Sequence, residues 1–539
     1  MPSISTTSIR HLFGGGWATD YGPTIDIAPD YSGKLGGISG RVTIPYLVDA
    51  ENCLFELDGG PHMIGGTSQV NASAVASGAP VTGVYDYWKQ GQAGNPSRKR
   101  ILHAGSVVMN DNDDGVFVNL FTGLVSGAVP NYSTFDDLLI IANDSGVDVP
   151  MCWDQITAQN LPGSPPTFSF SVMHKNRQWA AGDKSHPSRL YYSINVDPTD
   201  WVGVGSGSID IDISDGDEIT GIWSHMDNLW VFKGPNKGSI HRITGSSPTG
   251  TDGFALVNFV RGLGAACQNS IFPFSDDLGF VSQYGSVHSL SATQAYGNFI
   301  ESSLSRPINV NWIQSHLNYT RLRNIWAVTD PLREVVYFTA SWDASTTNNT
   351  VLVMDFRNAP QTIAWSKITA YQMASLGLFV DTGGLRRIMG GGNDGYMRRL
   401  NISNRSLDGT TAISFKVTTP TINYGQPLLL KTLERGSVGI APKGNFNATF
   451  GWSNDGNAQQ TQTFSQLGGD VLGVASANQF TLGTSALGGA QFVDRFMEFE
   501  SGGEFRGIQY QILASGVNQD FEMHNFSASL TGGSESTEQ

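Results

Sequence analysis

Five acidic side chains, Asp210, Asp212, Asp215, Asp217 and Glu218, crowd one short stretch of the chain. Two carboxylates facing each other are the equipment of glycoside hydrolysis, one as acid and the other as nucleophile or base. Strand alternation would put Asp210 and Asp212 on one face, with Gly216 marking a turn just beyond. A solvated acidic turn, or one acidic wall of a passage, needs no catalysis and is the simpler expectation. Four arginines make the one basic concentration: Arg386, Arg387, Arg398 and Arg399, two pairs on either side of Asn393-Asp394-Gly395. Flanking a hairpin, each pair sends one member to each face, which makes a cross-strand basic spot. That spot suits phosphate, as in DNA, or an acidic neighbouring subunit; the charge of the whole chain favours the subunit.

Other chemistry is weaker on inspection. His11, His62, His103, His174, His186, His225, His241, His288, His316 and His524 stand singly, none with a His or Cys at metal-ligand spacing. Asn110-Asp111-Asn112-Asp113-Asp114-Gly115 resembles the start of a calcium loop, but its twelfth position is Phe121, where a bidentate Glu is needed. A hairpin turn is the better reading. There is no G-x-S-x-G elbow for a serine nucleophile. Ser453-Asn454-Asp455-Gly456 lacks the spacing and final Trp of a sialidase aspartate box. Trp223, Trp230, Trp326, Trp342 and Trp365 are able to stack sugars, but on repeated strands they read as core. No catalytic residue, cofactor or metal is therefore expected, and the chain is not expected to be an enzyme.

The elements that must position these residues follow from composition. With 64 Gly and 23 Pro among 539 residues, the chain is cut into many short strands by many turns. That length calls for several domains. Lys and Arg number 32 against 47 Asp and Glu, a net charge of −15, which argues against ordinary phosphate-backbone binding. Cys53, Cys152 and Cys267 are odd in number and far apart, so no disulfide framework is expected. The start of the chain shows no signal peptide, and no apolar run is long enough for a membrane-spanning helix.

Asn176 to Trp201 (NRQWAAGDKSHPSRLYYSINVDPTDW) sets the grammar: strand, turn at Gly182-Asp183-Lys184, strand from Arg189 to Ile194, turn at Asp197-Pro198, and Trp201 packed beneath. The grammar recurs about seven times between Thr82 and Ile413, the period of four-stranded propeller blades that must stack to bury both faces. The expected fold is all-β: a β-propeller of six to eight blades, seven favoured, with an N-terminal arm and a C-terminal β-sandwich or jelly-roll-like domain. The expected divisions are an arm and leading strands over 1–80, with strands at Gly40–Val48 and Asn52–Leu57, the propeller over 81–413, the sandwich over 414–530, and a disordered tail over 531–539.

At Asn176, Arg177, Trp179, Ala181, Gly182 and then Pro187, Ser188, Arg189, Tyr191, Ser193, the chain resembles the nozzle, or packaged-DNA stabilisation, proteins that end the tail tube of short-tailed bacteriophages. Two further phrases agree: Asp217-Glu218-Ile219-Thr220-Gly221 leading to Leu229–Lys233 and Ser239–Gly245, and Leu278–Ser282 followed by Gly285-Ser286-Val287. Cys53–Gly66 is similar to the family's leading segment. The resemblance implies a virion protein made in the host bacterial cytoplasm and assembled as a ring, typically six copies, below the portal and adaptor. It would dock tail fibres or spikes, and its lumen would retain and then pass double-stranded DNA. Relatives occur in some long-tailed phages, so the tail type stays open. A carbohydrate-binding or glycan-active propeller is the alternative from the residues alone.

Overall fold

Short apolar runs between Gly, Asp and Asn turns become strands, and tight turns fold them into antiparallel meanders. The computed structural model describes residues 3–10, 16–20, 24–25, 46–55, 60–90, 97–296, 303–359, 363–381, 383–424, 427–440, 446–466, 493–498 and 503–532. The expected strand at 40–45, the turn at 58–59, the Gly-rich loops beyond 466 and residues 533–539 of the expected tail lie outside those residues, while 531–532, also expected as disordered tail, end the strand Met523–Gly532. The chain divides into two compact units, one of Gln69–Val351 with Tyr371–Leu400, the other of Met1–Ser68, Leu352–Ala370 and Asn401–Gln539.

In the first unit, seven antiparallel sheets succeed one another among the described residues. The first holds Val81–Lys89, Ser97–Ala104, Val107–Asp111 and Val118–Thr122. The second holds Pro130–Phe135, Leu138–Asn143, Met151–Trp153 and Ala158–Asn160; the third Phe170–His174, Arg177–Ala181, Arg189–Tyr192 and Gly207–Asp210; the fourth Glu218–His225, Asn228–Gly234, Ser239–Thr244 and Ala255–Arg261. The fifth has Ile271–Phe274, Asp277–Val281 and Val287–Ser289, the sixth opens with Trp326–Asp330 and Val335–Ala340, and the seventh has Met373–Val380, Arg386–Gly392 and Met397–Ile402. Four strands per sheet, the sequence expectation, thus fails at the fifth sheet, which has three among the described residues. Past Ser289 the chain turns instead into short helical pieces, Leu290–Tyr296 and then four more between Arg306 and Asn324. Each is too brief to leave a sustained 3.6-residue apolar period, which is why the sequence pattern missed them.

The first strands of these sheets lie side by side in order, the fourth meeting the fifth through the turn Gln268–Ser270, and the seventh returns to the first, so the sheets close into a seven-bladed β-propeller. Two kinds of contact hold neighbours together. Apolar faces interleave: Tyr87, Ile101 and Val108 of the first sheet meet Leu139, Ile141 and Trp153 of the second. Trp179 and Leu190 of the third likewise meet Ile222 and Val231 of the fourth. Polar side chains then stitch the junctions near the hub. Tyr85 reaches Thr134 (3.0 Å), Gln178 reaches Ser133 (2.7 Å), His174 reaches Ser224 (2.8 Å), Gln268 accepts from the Ile222 amide (2.8 Å), and the hydroxyls of Thr329 and Thr339 donate to the carbonyls of Pro273 and Met373 (2.6 Å each). Desolvated backbone carbonyls there find donors, which is what lets sheet edges meet without water.

Closure of the ring uses the start of this unit. Val70 donates its amide to the Met397 carbonyl (2.8 Å), and buried Asn71 accepts from the Met397 amide (2.8 Å) while donating to the Gly395 carbonyl (3.0 Å). Gly395 sits at φ 80°, and a Cβ there would fall 2.7 Å from the Val75 carbonyl oxygen, so the clasp needs glycine.

The second unit contains two further antiparallel sheets. In one, Ser3–Arg10, Met523–Gly532, Lys431–Ile440 and Val493–Glu498 pair in that order. In the other the order is Thr411–Thr418, Ile508–Gly516, Phe446–Asn454 and Gln460–Gln466, and Asp49–Glu51 joins Thr411–Thr418 from its other side. Burial alternates along Ile508–Gly516, one face in and one out, the pattern of a sandwich strand. Of the run from Gly40 to Val48 expected as a strand, the described residues 46–48 are not in one, and a strand follows at Asp49–Glu51. Trp17 in the expected arm is buried: its amide donates to the Trp365 carbonyl (2.7 Å) and its ring N–H to the Val48 carbonyl (3.0 Å).

Candidate functional site

The acidic stretch and the phrase around Asp183 come together in one cleft of about 540 Å³ on the propeller. Its walls are the loop 183–189 between two strands of the third sheet, the segment 211–218 leading into the fourth, and Pro235. Asp183 is buried and organises the loop. Its carboxylate accepts from the Ser185 amide (2.8 Å), the Tyr191 hydroxyl (2.7 Å) and His186 Nδ1 (3.0 Å). Burial pushes this carboxyl up, but the bonds from Tyr191 and His186 outweigh it and leave it below the usual range. An ionised carboxylate only accepts, so Nδ1 of His186, which is exposed beside the cleft, donates to Asp183. Asp210 takes a two-pronged bond from Arg189 (2.6 and 2.9 Å), which holds its carboxyl below the ordinary value.

The other acids of the stretch serve the fold. Asp217, buried, accepts from the amides of Asn236, Lys237 and Gly238 (2.7, 3.0 and 2.8 Å) and so shapes the turn before the third strand of its sheet. Asp215 binds Lys233 at 2.9 Å, and the Lys233 ammonium, fully buried, also donates to the carbonyls of Ile211 (2.8 Å) and Asp212 (2.9 Å) and to the Ser188 hydroxyl (3.2 Å). Burial raises the Asp215 carboxyl, but Lys233 and the Asp217 amide bring it below its normal value. Glu218, half exposed, lies 3.9 Å from Lys184. The expectation that Asp210 and Asp212 share a strand face is corrected: the strand stops at Asp210, and Asp212 turns away at φ 42° in a loop. Asp210 is held by Arg189 while Asp212 lies 3.6 Å from His241 and 3.7 Å from Arg261, so no facing carboxylate pair is assembled from Asp210 and Asp212.

The four arginines flank the expected hairpin, Arg387 and Arg399 on one face and Arg386 and Arg398 on the other by register. Arg387 (3.0 Å) and Arg399 (3.8 Å) share Asp381, and Arg398 clamps Asp394 with two bonds (2.7 and 2.6 Å) in its own turn. Most of this positive charge is spent inside the seventh sheet; Arg386 is exposed.

The hub itself is narrow. A cavity of about 120 Å³ at its mouth is lined by the starts of the first strands of successive sheets. It is spanned by Arg323 to Asp144 (3.0 Å) and by the Asn269 amide to the Pro130 carbonyl (3.2 Å). A double helix whose major groove alone is about 12 Å wide does not fit in a cavity of that volume.

The remaining motifs resolve into structure. Asp111 of the calcium-like run is buried against Arg100 (2.8 Å) and accepts from the amides of Asp114 and Gly115 (2.9 and 3.2 Å), which is hairpin chemistry. Asp455 closes its own turn onto the amides of Arg506 and Gly507 (3.0 and 2.7 Å). Trp230, Trp326, Trp342 and Trp365 are buried, and Trp223 packs on a core cluster. Buried His103, His241 and His288 each bond a hydroxyl: Thr82 (2.7 Å), Ser239 (2.9 Å) and Ser286 (2.8 Å). Among the described residues no cluster of three metal-binding side chains occurs, and no helix is long and apolar enough to cross a membrane. Sequence reasoning missed the Asp183–His186 pair and Lys233. The D-x-x-H spacing was available, and a lysine ending the apolar run Leu229–Phe232 was the signal for the second.

No family model and no curated protein matches the chain. Among solved structures, it is similar to YCF48 bound to D1 peptide (10% identity, 63% of this chain and 98% of that one, TM-score 0.36). It is also similar to a gluconolactonase from Xanthomonas campestris (12%, 64% and 90%, TM-score 0.31) and to the β-propeller domain of Cps50 (Swd1) from Myceliophteria thermophila (10%, 64% and 100%, TM-score 0.37).

Proposed function

We propose that the chain is a structural component of a bacteriophage tail, a ring that continues the DNA channel below the portal and adaptor, holds the packaged genome and releases it at ejection. The phrases that resemble nozzle proteins support this as architecture. Arg177 is buried and donates to the carbonyls of Ser193 and Gly205 (2.7 Å each), Trp179 is core, and Asp217 shapes a turn. They are residues a family would share for its scaffold.

The observation that carries the reading is the outermost strand of the fourth sheet. Ala255–Arg261 has one strand neighbour, Ser239–Thr244, and its other edge is open among the described residues. Leu256 and Val257 on it are each 39% exposed, and Pro and Lys, the usual guards of a free edge, are absent from it. This apolar rim, charged only at its end by Arg261, is where we place a neighbouring copy, and head-to-tail contacts whose rotation closes form rings. With the hub spanned by Arg323–Asp144, the passage for DNA lies between copies, lined by a protein whose net charge of −15 repels phosphate.

Native mass spectrometry of the purified chain across micromolar concentrations tests this. A closed multiple, with six copies the leading expectation, supports the ring. A monomer at every concentration, combined with absence from purified virions, ends it.

A further inference from the structure

We propose that the cleft between the third and fourth sheets binds a neutral sugar. Its volume, about 540 Å³, falls in the range of small-molecule sites, roughly 300–1,000 Å³. Acceptors line it from Asp210 and Glu218, donors from the Arg189 guanidinium, and the Ser185 and Ser214 hydroxyls and the His186 ring add further polar groups. The Arg189–Asp210 pair is about one third exposed on both sides, so its outer lone pairs and N–H groups are open to a ligand while the pair fixes their positions. Asp183, through His186 Nδ1, orients that ring in the same way. Preset donors and acceptors at fixed spacing are what vicinal hydroxyls need, because each sugar hydroxyl both gives and takes a hydrogen bond.

Charge narrows the class. Asp210, Asp217 and Glu218 line the cleft against one guanidinium, so phosphate and carboxylate ligands are repelled. A quaternary ammonium would want a cage of Trp, Tyr or Phe, and the lining contains none of these. What remains is a neutral polyol, whose C–H faces suit Pro187, Pro235 and Ile213, the last 65% exposed with no burial to explain its apolar side chain. The proposal does not rest on ring assembly: a monomeric chain would carry the same cleft.

Saturation-transfer NMR on the full chain, with glucose, galactose, mannose, N-acetylglucosamine, lactose and maltose at millimolar concentration, tests it. At least one sugar is expected to bind. Glu218→Gln and Asp210→Asn should each weaken that binding about tenfold, one charge-assisted bond in free energy. Ser185→Trp, at an exposed loop position, should abolish it by filling the cleft. Asp394→Asn, which breaks a similar carboxylate–arginine pair on the seventh sheet, should leave it unchanged. Melting curves confirm that each variant is folded. The proposal is overturned if the folded wild-type chain binds none of these sugars, if Ser185→Trp binds as well as wild type, or if inorganic phosphate or tetramethylammonium binds and the sugars do not.

Discussion

Ser375 donates its hydroxyl to the Val81 carbonyl at 2.7 Å, joining the first strand of the seventh sheet to the first strand of the first across 294 residues of chain. Together with Asn71, which bonds Met397 and Gly395 of the seventh sheet, it closes the propeller. A circle of sheets has no free face once the last meets the first, so these two contacts guard the cooperativity of the whole unit.

Asn71→Ala removes the acceptor for the buried Met397 amide and a donor to the Gly395 carbonyl. It should lower stability by about 2–3 kcal/mol, against about 1 kcal/mol for Ser375→Ala, because the asparagine leaves buried backbone groups unpaired. Urea unfolding followed by tryptophan fluorescence measures both. Equal and negligible losses would mean that the clasp is not what closes the ring.

Lys233 carries a charge with no access to water and has four oxygen partners. Lys233→Met should cost about 3–5 kcal/mol, since Asp215 is left without its cation. Adding Asp215→Asn to that variant should recover part of the loss. Simple additivity of the two changes, measured in a double-mutant cycle, would contradict a coupled pair.

Acid should weaken the fold through buried histidines. Burial, opposed by Asp148, lowers His103 from 6.5 to about 4; burial and Lys175, opposed by Asp227, lower His174 to about 4. Above pH 6.5 the ring is neutral in both folded and unfolded chains, and its contribution is complete. As pH falls from 6.5 to about 4, only the unfolded chain takes up the proton, so stability declines by at most about 1.4 kcal/mol per pH unit for each histidine. His103→Gln keeps a partner for the Thr82 hydroxyl but cannot charge. Its melting temperature should fall less steeply than that of wild type across this window, and an identical slope would exclude His103 as a source.

The Asn110–Gly115 turn should ignore calcium. Its Asp111 is occupied by Arg100 and two backbone amides, so millimolar Ca²⁺ or chelator should leave the melting temperature unchanged. Asp111→Asn, by contrast, should destabilise by about 1–3 kcal/mol because it leaves the buried Arg100 guanidinium with Asp113 (2.9 Å) as its one carboxylate partner. A calcium-dependent rise in melting temperature would reverse the assignment.

How much was legible depended on how far apart the interacting residues stand. The Asp227 turn, where Met226 and Asp227 take φ 45° and 60°, is visible as Asp-Asn between two apolar runs because a hairpin is a local event. The same holds for Gly395 and for the strands around Trp179 and Leu229. The helical pieces after Ser289 were not visible, since segments of a few residues carry no period. The roles of the acids were not visible either. Asp210, Asp215 and Asp217 look alike in sequence, yet one binds Arg189, one binds Lys233 and one caps the turn at Asn236.

The sequence by itself determined an all-β chain of repeated short sheets, because alternation and turn residues act within a few positions. Tertiary structure alone decided that the sheets number seven, that Asn71 fastens onto Met397, and that 352–370 belong to a different compact unit from the strands on either side of them. Those outcomes turn on which surfaces meet after the chain has closed over hundreds of residues. A hydrogen bond or an apolar contact records no address in the local pattern of the chain that makes it.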